Sequence, residues 1–461
     1  MSLAISSPDS LTLPVERGRS QATSTAFTWK SAITAILLFS VFYIAEHEFA
    51  VSITIQSLGA ADFEDTELDE TVSEGSLLRK IAFPILGLWG VILLATPVKP
   101  LTRWDTVLLN PVLYFMLGLI GLAAASVLWA DVAGFAMKRV MVVMFGTMAG
   151  LGLARGHSIR QLTDILIVVI LSYILFGIFA EISVGMFRPW MSEYRFSGTT
   201  HPNNQAVMNG ILILACLSRV MTDPKVNYWL ILIAVFTFGI MILTKSRTVL
   251  FGCLIAMAVL MALRTPWQVI FGSGFLAATA LTGFLCFVAL AGMDIADDVF
   301  EIFTLGRSDE TSTLTGRIPL WEELFKDINQ RPVLGHGYGS FWTPERTLRI
   351  SLNQGWQIPH AHSGYVETLL NLGYFGLLML LGTMFTAVAL SLYLSLARGQ
   401  LGDLFGLGVF IYSLVFSLTD TAFAAPTLPA LVLITLLWSL VFTFSNSADS
   451  RSTTQPEAIT A

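Results

Sequence analysis

The sequence predicts an all-α polytopic membrane protein of about twelve transmembrane helices with one long helical outer loop. Three observations carry this reading. Of 461 residues, 54% are hydrophobic and only 13% charged, and mean hydropathy is +0.71, which is too apolar for a soluble domain of this length. The apolar residues fall into runs approaching the roughly 20 that a bilayer crossing needs. Lys and Arg recur in alternate connections, as charge-directed orientation requires.

Residues 1–26 are polar, without the short apolar core and small-residue cleavage site of a signal peptide, and are expected to form a disordered cytoplasmic tail. Apolar runs then fall at about 27–45, 81–96, 107–129, 140–154, 165–184, 205–217, 228–243, 249–263 and 269–290, a first transmembrane stretch spanning 27–290. An acidic outer loop, 46–80, separates the first two runs; its acid-rich part carries no chemical motif and reads as a solvated loop. Residues 291–363 form the long outer loop. The second transmembrane stretch, 364–444, holds three runs near 374–396, 404–418 and 428–444, and 445–461 is a second cytoplasmic tail.

Placing both termini inside puts Lys99, Arg103, Arg155, Arg160, Arg219, Lys225, Arg264 and Arg398 on the inner face. In a bacterium the opposite face would be periplasmic or extracellular. The bulk net charge of −6 says little, because orientation is set by where Lys and Arg fall between spans; membrane lipid is the expected surroundings and nucleic acid is not an expected partner. Cys216, Cys253 and Cys286 lie in apolar runs without CxxC or Cys/His spacing, and read as packing residues.

Lys138, Arg139, Arg188, Arg195, Lys245 and Arg247 fall near the outer ends of spans, against the topological preference. Snorkelling to headgroups accounts for Lys138 and Arg188. Arg195 and Arg247 sit in more telling surroundings. Arg195 opens Arg-Phe-Ser-Gly-Thr-Thr-His-Pro-Asn-Asn, a chain-breaking run whose backbone amides suit an anion. Arg247 lies in a five-residue polar break, Thr244-Lys245-Ser246-Arg247-Thr248, which a tight helical hairpin brings to the same compartment as Arg195. Cations at such depth usually face a protein interior or a water-filled cavity.

Within the long loop, Ile318, Trp321, Leu324, Phe325 and Ile328 recur at helical spacing and predict an amphipathic helix, with Pro319 tolerated in the first turn and Arg331-Pro332 as its stop. Gly335-His336-Gly337-Tyr338-Gly339 reads as a turn; no strand precedes it and no helix follows, so it is a poor nucleotide-binding fingerprint. Tyr338, Phe341 and Trp342 suit either an interface anchor or a sugar-stacking surface. In Pro359-His360-Ala361-His362-Ser363, Ser363 is a fitting N-cap for a helix starting at Gly364. The positive end of that helix disfavours imidazolium, leaving His362 neutral and able to accept a proton. A structural His362 and a metal-ligating pair with His360 are the competing readings, the second weakened because no acidic or Cys ligand stands at a characteristic spacing.

His362-Ser363, nine residues, then Gly373-Tyr374-Phe375-Gly376 resembles the histidine signature of the bacterial O-antigen ligase and polymerase superfamily, most of all its exopolysaccharide polymerases. Arg195-Phe-Ser-Gly with Pro202-Asn203, Ser246-Arg247, and Gly316-Arg317 with Trp321 resemble further family positions in the expected order. The resemblance implies a C-type, metal-independent glycosyltransferase of the bacterial inner membrane, without a cofactor and with its site on the periplasmic side. Its donor would be a glycan on undecaprenyl diphosphate, and its acceptor a sugar hydroxyl on a glycan or lipid-linked molecule. Arg195, Arg247 and Arg317 are then expected to bind the diphosphate, His362 and Arg317 to act in catalysis, and His360 to assist. Arginine suits a diphosphate because it stays ionised and binds phosphate oxygens bidentately. Polymerisation of exopolysaccharide or O-antigen repeats is the first reading, ligation to lipid A-core the second, and a polysaccharide or lipid-linked sugar transporter the alternative of another class.

Overall fold

A computed structural model describes residues 27–46, 77–98, 107–191, 194–266, 268, 317–421 and 426–452. Most of the acidic outer loop, the run at 269–290 and residues 291–316 therefore lie outside the described residues. Among those described, the regular structure is helical. In chain order the helices are α1 (Trp29–Glu46), α2 (Leu77–Ala95), α3 (Pro111–Ala125), α4 (Ala133–Gly156), α5 (Ile159–Ser183), α6 (Pro202–Thr222), α7 (Tyr228–Leu243) and α8 (Arg247–Ala262). They continue with α9 (Arg317–Ile328), α10 (Pro344–Gln354), α11 (Gly364–Ala397), α12 (Leu401–Phe416) and α13 (Leu428–Ser452). Six stretches, α1, α4, α5, α6, α11 and α3 with its following turn, are long and apolar enough to cross a membrane; α2, α7, α8, α12 and α13 are shorter apolar helices. The protein is a multi-pass membrane protein.

The bundle is arranged about α6, whose interior residues from Gln205 to Cys216 are buried. Neighbours α5, α7, α8 and α12 surround it, and Tyr412 of α12 packs over Gly210 so closely that a Cβ there would lie 2.4 Å from the phenol oxygen. Small residues do similar work between α2 and α4. A Cβ on Gly152 would come 2.2 Å from the Gly90 carbonyl oxygen, so the two backbones touch, as helices in lipid commonly do.

The two ends of the bundle carry different chemistry. At one, Lys30 donates to the Thr96 carbonyl, Val98 N–H to that of Arg155, Arg160 pairs with Asp223 at 2.8 Å, Arg219 with Asp164, and Arg398 with Asp403 at 2.8 Å. These are the connections assigned to the inner face from charge. At the other end, Glu46 at the close of α1 accepts from Leu428 N–H at the start of α13, and Arg195, Asn203, Gly364 and Asp420 are joined by hydrogen bonds.

A small lobe caps this second end. Leu320, Leu324 and Ile328 of α9, Ile350 of α10, Ile358 and Ala361 pack with Val366, Leu369 and Leu370 of α11. The expected amphipathic helix is present, but its buried stripe is rotated. Leu320 is fully buried whereas Ile318 and Phe325 are exposed, because the lobe presents α11 rather than a flat lipid surface to it. Phe341 and Trp342 correct a second expectation. Both are buried in the lobe's core, so neither anchors at lipid nor stacks on sugar. Helix α10 was not foreseen, although Thr343 caps it, Pro344 opens it and Gly355 closes it with φ +76°.

The lobe is tied to the bundle through a break in α11. Gly373 has φ 65° and ψ −165°, a region open essentially to glycine alone. The break releases the Leu370 and Asn371 carbonyls and the Tyr374 and Phe375 amides, and the preceding turn satisfies all four. His336 N–H donates to Leu370 O, Gly337 N–H to Asn371 O, Tyr374 N–H to Pro332 O and Phe375 N–H to Val333 O, at 2.8–3.2 Å. The glycine-rich turn and the Gly-x-x-Gly signature are thus two halves of one joint.

Candidate active site

His362 lies where the lobe meets the bundle. Its backbone has φ +49°, an uncommon left-handed conformation, and its neighbours hold it there. Trp321 Nε1–H donates to Ala361 O at 2.9 Å, Ala361 N–H donates to Glu367, and His362 N–H donates to His360 Nδ1 at 3.2 Å. Ser363 is the N-cap of α11, accepting from Val366 N–H, and Gly364 N–H donates to both Ser417 O and Asp420 O. Because His360 Nδ1 accepts, neutral His360 carries its proton on Nε2.

The rings of His360 and His362 have centroids 4.1 Å apart, and Trp356 lies 5.2 Å from His362 on another side. His362 Nε2 is buried with no hydrogen-bond partner among the described residues. Burial first, then the nearby His360, Arg317 and His201, lower the His362 pKa to about 2. Desolvation and neighbouring charge therefore favour the neutral imidazole, causes other than the helix terminus from which it was expected.

Arg195 is placed by a turn built on Glu181. That carboxylate accepts from Ser197 N–H at 3.0 Å and Gly198 N–H at 2.8 Å, while Phe196 N–H donates to Leu243 O. The amides expected to suit an anion are therefore bound by this chain's own carboxylate. Arg195 Nε donates to Thr244 O at 3.0 Å and its Nη2 to Asn203 Oδ1 at 3.2 Å; Asn203 Nδ2 in turn donates to Asp420 at 3.1 Å. Arg247, three residues beyond Thr244, opens α8.

His201 caps α6 through Nδ1, which accepts from Asn203 N–H. Its ring is solvent-accessible yet crowded by protein. Desolvation lowers its pKa, Asp420 raises it, and Arg195 and His360 lower it. Arg195, His360 and Asp420 thus act on His201, and His360, Arg317 and His201 act on His362. Arg195, Arg317, His360 and His362 therefore lie within electrostatic reach of His201 or of one another, while Arg247 is placed only as the first residue of α8.

His201, Asp420 and Trp356 are site residues that sequence reasoning did not single out. Asp420 had a readable signal, being the only charged residue between 404 and 444. His336, by contrast, faces away from the site, with Nδ1 2.9 Å from Asp131 and Nε2 3.2 Å from the Asp327 carbonyl. Lys138 lies over the Phe135 ring, Arg139 donates to Gly339 O at 2.6 Å, and Arg188 bonds its own loop at Gly185. Cys216 and Cys253 are buried thiols within the bundle.

An all-helical membrane bundle with paired imidazoles and arginines at one mouth defines the class. Residues 232–381 match the O-antigen ligase family, an interval that holds Arg247, Arg317, His360, His362 and the Gly373 joint. Over 318 residues the chain is 24% identical to the exopolysaccharide production protein ExoQ of Rhizobium meliloti (strain 1021), covering 64% of this chain and 69% of that protein. Both matches support the likeness to the O-antigen ligase and polymerase superfamily, the second of them on its exopolysaccharide side.

Proposed function

We propose that this protein is a glycosyltransferase of the bacterial inner membrane that transfers a glycan from undecaprenyl diphosphate to a sugar hydroxyl on the periplasmic side, polymerising exopolysaccharide or O-antigen repeats. The observation that carries the reading is His362 Nε2, buried without a partner among the described residues beside Arg317 and His360. In the proposed reaction His362 Nε2 takes the proton of the acceptor hydroxyl as that oxygen bonds to the anomeric carbon. The bond from that carbon to the diphosphate oxygen breaks, and undecaprenyl diphosphate leaves with the electron pair. Arg195, Arg247 and Arg317 stabilise the leaving charge, the role a divalent cation fills in other transferases. His360 holds the His362 backbone. The domain roles follow, with 27–290 and 364–444 as the membrane bundle and 291–363 as the catalytic loop.

Similarity to ExoQ favours polymerisation. The family description, O-antigen ligase, supports ligation as the second reading, with lipid A-core as the proposed acceptor and the same residues in the same roles. Purified protein in detergent, given undecaprenyl-linked donor and acceptor, tests both against transport, since only an enzyme turns donor over without a membrane gradient. His362→Ala is expected to lower transfer by about 10²–10⁴-fold, the usual worth of a general base, while donor binding persists. Lysine at 195, 247 or 317 keeps the charge but loses the planar fork, and each variant is expected to transfer poorly. Wild-type turnover in His362→Ala overturns the assignment.

A further inference from the structure

On the face of the lobe away from α11, α9 and α10 enclose a groove of about 460 Å³ that the proposed reaction does not use. Its lining side chains are polar apart from Pro319, with Glu322, Glu323, Lys326, Gln330, Arg349 and Asn353 among its walls, and their carbon stems add apolar surface. Much of this polar surface is held rigid. Glu323 accepts from Asn353 Nδ2 at 2.8 Å and from Gln354 Nε2 at 2.9 Å, and the buried Asp327 accepts from Arg349 at 2.9 Å and from Gln330 at 3.3 Å. These pairings also set direction: α9 and α10 run antiparallel, so the start of α9 lies beside the end of α10.

That end of the groove adjoins the candidate site. Pro319, which lines it, is two residues from Arg317, and Gln354 is two residues from Trp356, whose ring meets His362. From Pro319 to Asp327 the groove follows α9 for about 12 Å at the helical rise, with Gln330 just beyond, long enough for a short oligosaccharide. Carboxylates, amides and a guanidinium fixed along a shallow channel match a ligand with many hydroxyls. The mixed signs, three acids against Lys326 and Arg349, disfavour a polyanion.

We propose that the groove between α9 and α10 binds the stretch of glycan adjoining the reacting sugar, and so selects chains by length. The proposal rests on the glycosyltransfer reading only for the identity of the reacting end. Its test is binding to the full-length protein in detergent, without donor, of delipidated oligosaccharides from one to several sugars, obtained by hydrolysing the producing cell's own polysaccharide. Affinity is expected to rise with length until the groove is filled. Glu323→Ala should weaken the longer ligands about tenfold, the loss of one charged hydrogen bond, and leave the shortest unchanged. Because Glu323 also joins α9 to α10, Glu322→Ala provides a second variant at an exposed wall, with a smaller loss in the same direction expected. Length-independent binding by the wild-type protein, or equal losses at every length, overturns the proposal. Length-dependent binding in a protein that transfers no sugar leaves the groove standing and removes the transfer reaction.

Discussion

Charge at the mouth of the bundle should make catalysis depend on whether donor is bound. In the free protein, burial and the nearby His360, Arg317 and His201 hold His362 far below an ordinary histidine. A diphosphate beside it adds negative charge, which stabilises imidazolium and raises that pKa. The neutral form is the competent base, so activity falls as pH drops through the pKa of whichever state is rate-determining. The acid limb of kcat, reporting the bound state, should therefore lie at higher pH than the acid limb of kcat/KM. Profiles of both constants check this, and coincident limbs would show that the diphosphate does not act on His362. Much of this site was legible in sequence because His362, Ser363 and Gly373 carry chemistry at fixed spacing along one helix. His201 was not, and the lone charge of Asp420 did not name its partners, since only folding brings the start of α6 beside His360 and the turn after α12 beside Asn203 and Gly364.

Two left-handed glycines separate conformational strain from crowding. Gly355 has φ +76° and open space where a Cβ would stand, whereas a Cβ on Gly373 would come 2.4 Å from the Val333 carbonyl. Gly355→Ala is expected to cost roughly 1–2 kcal/mol, the left-handed penalty alone. Gly373→Ala should cost more, because the turn at Val333 must move and the four backbone bonds across the break are strained or lost. Thermal unfolding of the two variants, with proteolysis of the lobe as a second readout, checks the order; equal losses would mean that the joint tolerates separation. The helices themselves were largely readable from apolar period. The stripe of α9 was misread because periodicity locates an apolar face without saying what will cover it, and here α11 draws in Leu320.

The histidine site at one end of the bundle, and the connections that hold Arg155, Arg160, Arg219 and Arg398 at the other, give the molecule an orientation that labelling can check. With the lobe outside, Gln357→Cys should react with a membrane-impermeant thiol reagent in intact cells and Lys225→Cys should not. The reverse pattern inverts the molecule and moves the site to the cytoplasm. The expected count of about twelve spans depends on the run at 269–290, outside the described residues, as does most of the acidic loop.

Asp131, on the turn between α3 and α4, pairs with Arg331 and Arg346 at 2.7 Å and with His336 at 2.9 Å. Burial raises its pKa, but Arg346 and His336 outweigh this and hold the carboxyl below its usual range. Synthesis proceeds from the N-terminus, so this carboxylate is made some two hundred residues before its first partner, Arg331. Through that interval it is a hydrated anion on an unfinished bundle. A chain halted before residue 331 would carry its early spans and still lack the latch, His360 and His362, making the site among the last parts of the molecule to be assembled.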